Sequence, residues 1–123
     1  MGLCEVENEK VVEDITKSEL LSDYQYSVVH EQSPDHRGID VALIYQPSVF
    51  ELLEWKTFQV DIPDEQIANF TTRDILLVKG QIAETIVHIF VNHWPSRSGG
   101  EAATEVRRTF VAAALRAAID DLQ

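Results

Sequence analysis

Ile86-Val87-His88-Ile89-Phe90-Val91, running into Asn92-His93-Trp94-Pro95-Ser96-Arg97-Ser98-Gly99-Gly100, is the stretch whose reading decides the fold. Its first half is an almost unbroken apolar run rich in β-branched and aromatic residues, the pattern of a strand covered on both faces. It then stops in a polar loop carrying Pro95, Gly99 and Gly100, and a long Ala-rich helical pattern follows. Open α/β sheets hold ligands at such strand tips, just ahead of a helix. Read singly, Pro95 and the glycines are turn residues and His93 is a solvated loop side chain. Four polar groups converging on one tip favour the functional reading.

Working outward, residues 84–91 pair as a hairpin with a strand at 72–78, with Gly80 in the turn. Residues 38–45 form a second strongly apolar strand, with Asp40 its one intruding charge and Pro47 closing it. Residues 24–29 read as a short strand followed by a polar loop through Ser33, Pro34 and Asp35. Residues 50–62 hold one or two strands around Trp55 and Phe58, and 63–69 form a loop. Residues 2–6 look like the last part of a strand. Asn8 caps a helix at 9–21, with Glu9, Glu13 and Asp14 early, where acidic groups suit the helix dipole. Val11, Val12, Ile15 and Leu20 supply its apolar stripe. A last helix spans 101–119, with Val106, Phe110, Ala113 and Ala117 at core spacing.

The 123 residues suffice for one modest domain. An apolar content of 45% excludes general disorder. No apolar run reaches membrane-span length, and no charged-then-apolar leader opens the sequence. Cys4 is the single cysteine, so no internal disulfide framework exists. Net charge is −11, from 21 acidic and 10 basic residues, which opposes loose binding to nucleic-acid backbones. Nucleic acid therefore enters only as a substrate. The acidity is compatible with a metal-dependent enzyme, because hard cations take carboxylates.

Helix, several strands, helix is an α/β pattern: a mixed β-sheet layer joined by hairpins, with the helices on one face. This raises a problem of cover. Two strands read as buried on both faces, and two helices on one face leave the other bare. Either a second copy or a further part of the protein must cover it. A bare face of β-branched residues is an aggregation liability, so a symmetric homodimer is one expectation.

Leu3-Cys4-Glu5-Val6, Arg37-Gly38-Ile39-Asp40-Val41-Ala42-Leu43, Thr72-Arg73-Asp74-Ile75-Leu76 and Asn92-His93-Trp94-Pro95-Ser96-Arg97 together resemble successive motifs of the endonuclease/exonuclease/phosphatase superfamily, the DNase I-like enzymes. Each motif is weak alone; four in order span nearly the whole chain. The resemblance implies half of a four-layer α/β/β/α sandwich, with residues 1–123 a single partial domain. It also implies phosphoester hydrolysis with a divalent metal, usually Mg²⁺.

By that resemblance Glu5 matches the metal-binding glutamate; its plain reading is an exposed acid near a helix start. His93 matches the histidine that contacts the scissile phosphate, where an imidazolium offsets charge on phosphoryl oxygens. Arg73 stands where the family has an arginine near the phosphate, with a strand-edge ion pair as the alternative. Asp40, a charge in a buried strand, needs a partner: a site histidine or arginine, or a structural ion pair. Asn92, Ser96 and Arg97 are loose matches as phosphate donors. Cys4 has no basic neighbour to lower its pKa and reads as core rather than nucleophile.

The family pattern also includes an Asn-bearing strand before Leu3, and Gly-Asp-x-Asn and Ser-Asp-His motifs after the last helix. Without those, the expectation is a fragment of a metal-dependent phosphoester hydrolase, inactive as this isolated chain. The alternative is a non-catalytic unit that self-associates through its sheet face.

Overall fold

The computed structural model describes residues 1–33, 38–60 and 72–122. Within them the order is β1 (Gly2–Val6), α1 (Glu9–Thr16), a 3₁₀ turn (Ser22–Tyr24), β2 (Ser27–Glu31), β3 (Asp40–Tyr45), β4 (Glu51–Phe58), β5 (Ile75–Ile82), β6 (Thr85–Val91) and α2 (Glu101–Asp120). The chain is α/β, as its sequence implies. The strands form two three-stranded sheets, β1-β3-β2 and β4-β5-β6, and every pairing is antiparallel.

The two-residue period of a strand shows how the layers stack. Val41 and Leu43 of β3 share a core with Phe50, Leu76 and Val78 of β5, and Val91. Ala42 and Ile44, between and beyond them on the opposite face of β3, pack instead with Val12 of α1. On β5, Ile75 turns away from the shared core to Val111 of α2. The order is therefore α1, first sheet, second sheet, α2. β3 and β5 are buried on both faces because each sheet covers the other and a helix packs on its far side. β6, expected to be covered on both faces, is instead the edge of its sheet, with Ile86 45% exposed and only Val91 buried.

This layering answers the problem of cover within one chain, and the helices lie on opposite outer faces rather than on one. The cause is the turn after β3. The Val49 and Phe50 amides both donate to the Gln46 carbonyl at 2.9 Å, which folds the chain back. Phe50 then enters the shared core, and β4 starts a second sheet.

Several sequence expectations shift. Asn8 caps α1 as expected, its Oδ1 accepting from the Val11 amide at 3.0 Å. The helix ends at Thr16 instead of residue 21, because Leu20 is 85% exposed and a longer helix would bury nothing. Of the expected stripe only Val12 is buried, while Val11 and Ile15 face solvent. The strand expected at 24–29 begins at Ser27, since Gln25 takes a left-handed backbone (φ 52°). Gly80 lies inside β5, opposite Leu52 and Val87, and Ala83 (φ 51°) holds the turn. A side chain at Gly80 would collide with the Phe50 ring, so glycine there marks close packing. Residues 101–120 are helical as expected, yet Thr104, Val111, Ala114 and Leu115 face the sheet rather than the neighbouring stripe Val106, Phe110, Ala113 and Ala117. The loop expected at 63–69 lies outside the described residues.

Candidate functional site

The sandwich brings the C-terminal ends of β1 and β6 and the start of β3 and β5 to one end. Val6 pairs with Asp40, and Val91 pairs with Leu76. β1 also lies close against β6: a Cβ on Gly2 would sit 3.3 Å from Val91 Cγ2. At the tip the Cys4 thiol donates to the Asn92 carbonyl at 3.2 Å. One residue further along each strand, Glu5 Oε1 is 3.5 Å from His93 Nε2. Two residues 88 positions apart are thus joined by the docking of the two sheets.

Glu5 is held in an unusual state. The ladder between β1 and β3 shifts register between Cys4 and Val6, which leaves Glu5 as a bulge residue. Its φ is 60°, in the left-handed region that side chains other than Gly, Asn and Asp rarely adopt. The bulge turns its carboxylate outward, with 69% of the side chain exposed. Such strain collects where a side chain must be aimed at something.

Beside Glu5, His93 is mostly buried, with 17% of its side chain exposed. Its Nδ1 and the Asn92 Oδ1 are both buried and make no hydrogen bond among the described residues. Buried polar atoms nearly always have partners, so two adjacent orphans mark a place that a polar ligand would complete. Partial burial, and next the Glu5 carboxylate, push the Cys4 thiol above its usual range, which disfavours the thiolate. Cys4 is nevertheless exposed, not the core residue its sequence suggests, because it sits on an edge strand beside the tip.

Asp40 is 3% exposed, and both its oxygens are taken. His30 Nε2 lies 2.9 Å from Oδ2, and the Ser33 amide donates to Oδ1 at 2.8 Å. The Ser33 hydroxyl in turn accepts from the Asp74 amide at 3.4 Å. The structure therefore pairs Asp40 with a histidine other than His93 and links it, through Ser33, to the start of β5. His30 went unnoticed in the sequence, although a buried carboxylate demands a partner and His30 stands ten residues away on the neighbouring strand. Burial, and more weakly Glu31, push the Asp74 carboxyl up, against a hydrogen bond from Thr57 that lowers it. Arg73 is half-buried at this same end.

Ser96 and Arg97 follow the tip but turn to local partners. Ser96 Oγ accepts from the Ser98 amide at 3.3 Å, and the exposed Arg97 guanidinium lies 3.5 Å from Glu101. Among the described residues no group of three His, Cys, Asp or Glu side chains is gathered to hold a metal. Mg²⁺, however, needs only one or two carboxylates, the rest of its shell being water and substrate phosphate. At the tip, Glu5 presents an outward carboxylate and Asn92 a buried amide oxygen with no hydrogen-bond partner among the described residues, both hard oxygen donors.

The family model described as the endonuclease/exonuclease/phosphatase family matches residues 1–123, the whole chain. No curated protein and no solved structure matches it.

Proposed function

This chain belongs to the endonuclease/exonuclease/phosphatase family, and on that premise we propose that its strand tips form the metal- and phosphate-facing part of a phosphoester-hydrolase site. The family is of phosphoester-hydrolase type and generally depends on a divalent metal. The observation that carries the proposal is the approach of Glu5 to His93 at 3.5 Å, with Glu5 aimed by a strained bulge.

In this reading Glu5, with the Asn92 amide oxygen, holds Mg²⁺. When bound there, the ion would supply positive charge against a phosphoryl oxygen and lower the pKa of water it holds. His93 donates through Nε2 to a non-bridging phosphate oxygen, where developing negative charge strengthens the bond. Arg73 adds positive charge at the same end. The amide of Asn92 and the loop groups Ser96 and Arg97 bind the phosphate once Arg97 leaves Glu101. Asp40 acts at one remove: it fixes Ser33, which fixes the Asp74 amide and the segment bearing Arg73.

Residues 1–123 form one partial domain in this proposal. The donors gathered at the tip are one carboxylate, one amide and one imidazole, and the His30–Asp40 pair at the same end is buried and already engaged by the Ser33 amide. As an isolated chain it therefore binds metal and phosphate but turns over little. NMR with Mn²⁺ as a paramagnetic stand-in tests this directly. Resonances of Asn92 and His93 should broaden in the wild type and not in Glu5→Gln. Broadening spread evenly over the acidic surface would remove the site. Metal-dependent cleavage of a bis-nitrophenyl phosphodiester that requires both Glu5 and His93 would overturn the inactivity.

A further inference from the structure

Among the described residues β4 has one neighbour, β5, and no strand pairs with its other edge. Unpaired edges are usually kept short or guarded by charge and bulges. β4 is eight residues long and exposes Leu53 (46%) and Trp55 (41%). It does carry a bulge between Leu52 and Glu54, but Glu54 to Phe58 is regular, each residue paired in turn along β5. Within that run lies the exposed Lys56, which makes no ion pair or hydrogen bond among the described residues.

A second copy is the occupant that this edge fits. In an antiparallel ladder, hydrogen-bonded and non-hydrogen-bonded pairs alternate, so a twofold axis must pass where a residue faces itself. Centring on Glu54 or on Lys56 sets like charges opposite each other. Centring on Thr57 puts Lys56 against the partner's Phe58 and leaves it uncompensated. Centring on Trp55 alone sets each Glu54 against the partner's Lys56, and each Trp55 against the partner's Trp55. Opposite charges and aromatic pairs directly across a ladder both stabilise it.

We propose that β4 pairs with β4 of a second copy about a twofold axis at Trp55, joining the two outer sheets into one of six strands. The exposed Trp55 becomes the buried centre of the interface, and Lys56 gains a facing carboxylate from the partner. This surface is the strand edge, not the sheet face that the sequence suggested, and it stands independently of the hydrolase reading.

Sedimentation of the whole chain tests it with charge reversals. The wild type should dimerise in the micromolar range. Trp55→Ala, Glu54→Lys and Lys56→Glu should each weaken the dimer by about tenfold or more, as central anchors and facing like charges do. The double variant Glu54→Lys/Lys56→Glu restores opposite charges in this register alone, and should recover wild-type affinity to within about threefold. Because Glu54 also pairs with Lys79 at 3.3 Å, circular dichroism must show a native fold, and Glu54→Gln serves if the reversal unfolds the chain. A wild type that stays monomeric at about 100 μM would overturn the proposal. So would a natively folded double variant as weak as the singles.

Discussion

The strained backbone at Glu5 makes a prediction that separates aiming from ordinary strand structure. A side chain in the left-handed region costs about 1–2 kcal/mol, and glycine escapes this cost. Against that, glycine in a strand is about 0.5–1 kcal/mol less stable than alanine, because it loses more freedom on folding. At φ 60° the first effect should exceed the second. Glu5→Gly should then be more stable than Glu5→Ala by about 0.5 kcal/mol, although both lose the carboxylate. Thr85, an exposed strand residue absent from the positive-φ set, provides the control. There Gly should be worse than Ala by about 0.5–1 kcal/mol, so the two sites differ by about 1–2 kcal/mol. For a domain of this size that is a melting-temperature difference of about 4–8 °C between the two comparisons. Thermal unfolding of the four variants, read by circular dichroism, measures it. If Gly is as unfavourable at residue 5 as at residue 85, Glu5 is not strained, and its aim at His93 is incidental.

Two other substitutions test different layers of the argument. The Asp74 carboxyl is pushed up in the folded chain, so the folded state holds its proton to higher pH than the unfolded chain, and stability falls as pH rises through the carboxylate range. Asp74→Asn should therefore raise the melting temperature at pH 7 and lose that advantage near about pH 3, where both states are protonated; a constant difference across pH would refute the assignment. Gly80→Ala sets a methyl group against the Phe50 ring and 2.6 Å from the Glu51 carbonyl, and should cost about 1–3 kcal/mol by urea unfolding. Pairing it with Phe50→Ala should recover only part, because the Glu51 carbonyl stays.

The strands were legible where one physical signal dominated. The apolar run of β3 announces burial on both faces, and the acidic start after Asn8 announces a helix; the similar run of β6 misleads, because it becomes an edge strand in which Val91 alone is buried. What covered those faces was not legible, since it depends on a five-residue turn around Gln46 that sends β4 into a second sheet. Helix faces were read one position out on α2, because an Ala-rich helix has nearly equal apolar stripes, and the packing of Val111 selects between them. At the site, Glu5 and His93 were each visible as residue types, but their meeting is a product of sheet docking. His30 is invisible because the strand read at 24–29 stops one residue short of it, whereas β2 runs to Glu31, and the bond to Asp40 crosses from β2 to β3.

The layering also divides the chain cleanly at that turn. β1 to β3 with α1 lie before it and β4 to β6 with α2 after it, and among the described residues no strand crosses between the two sheets. Every described strand pairing falls within one half or the other, so the halves meet only where the two sheets dock. Glu5 belongs to the first half and His93 to the second, as do Ser33 and Asp74 respectively. The site therefore does not exist in either half and appears only on their union. A nick in the Gln46–Phe50 turn would yield two complementing fragments, with recovery of the Glu5–His93 pair as the signal that they have found each other.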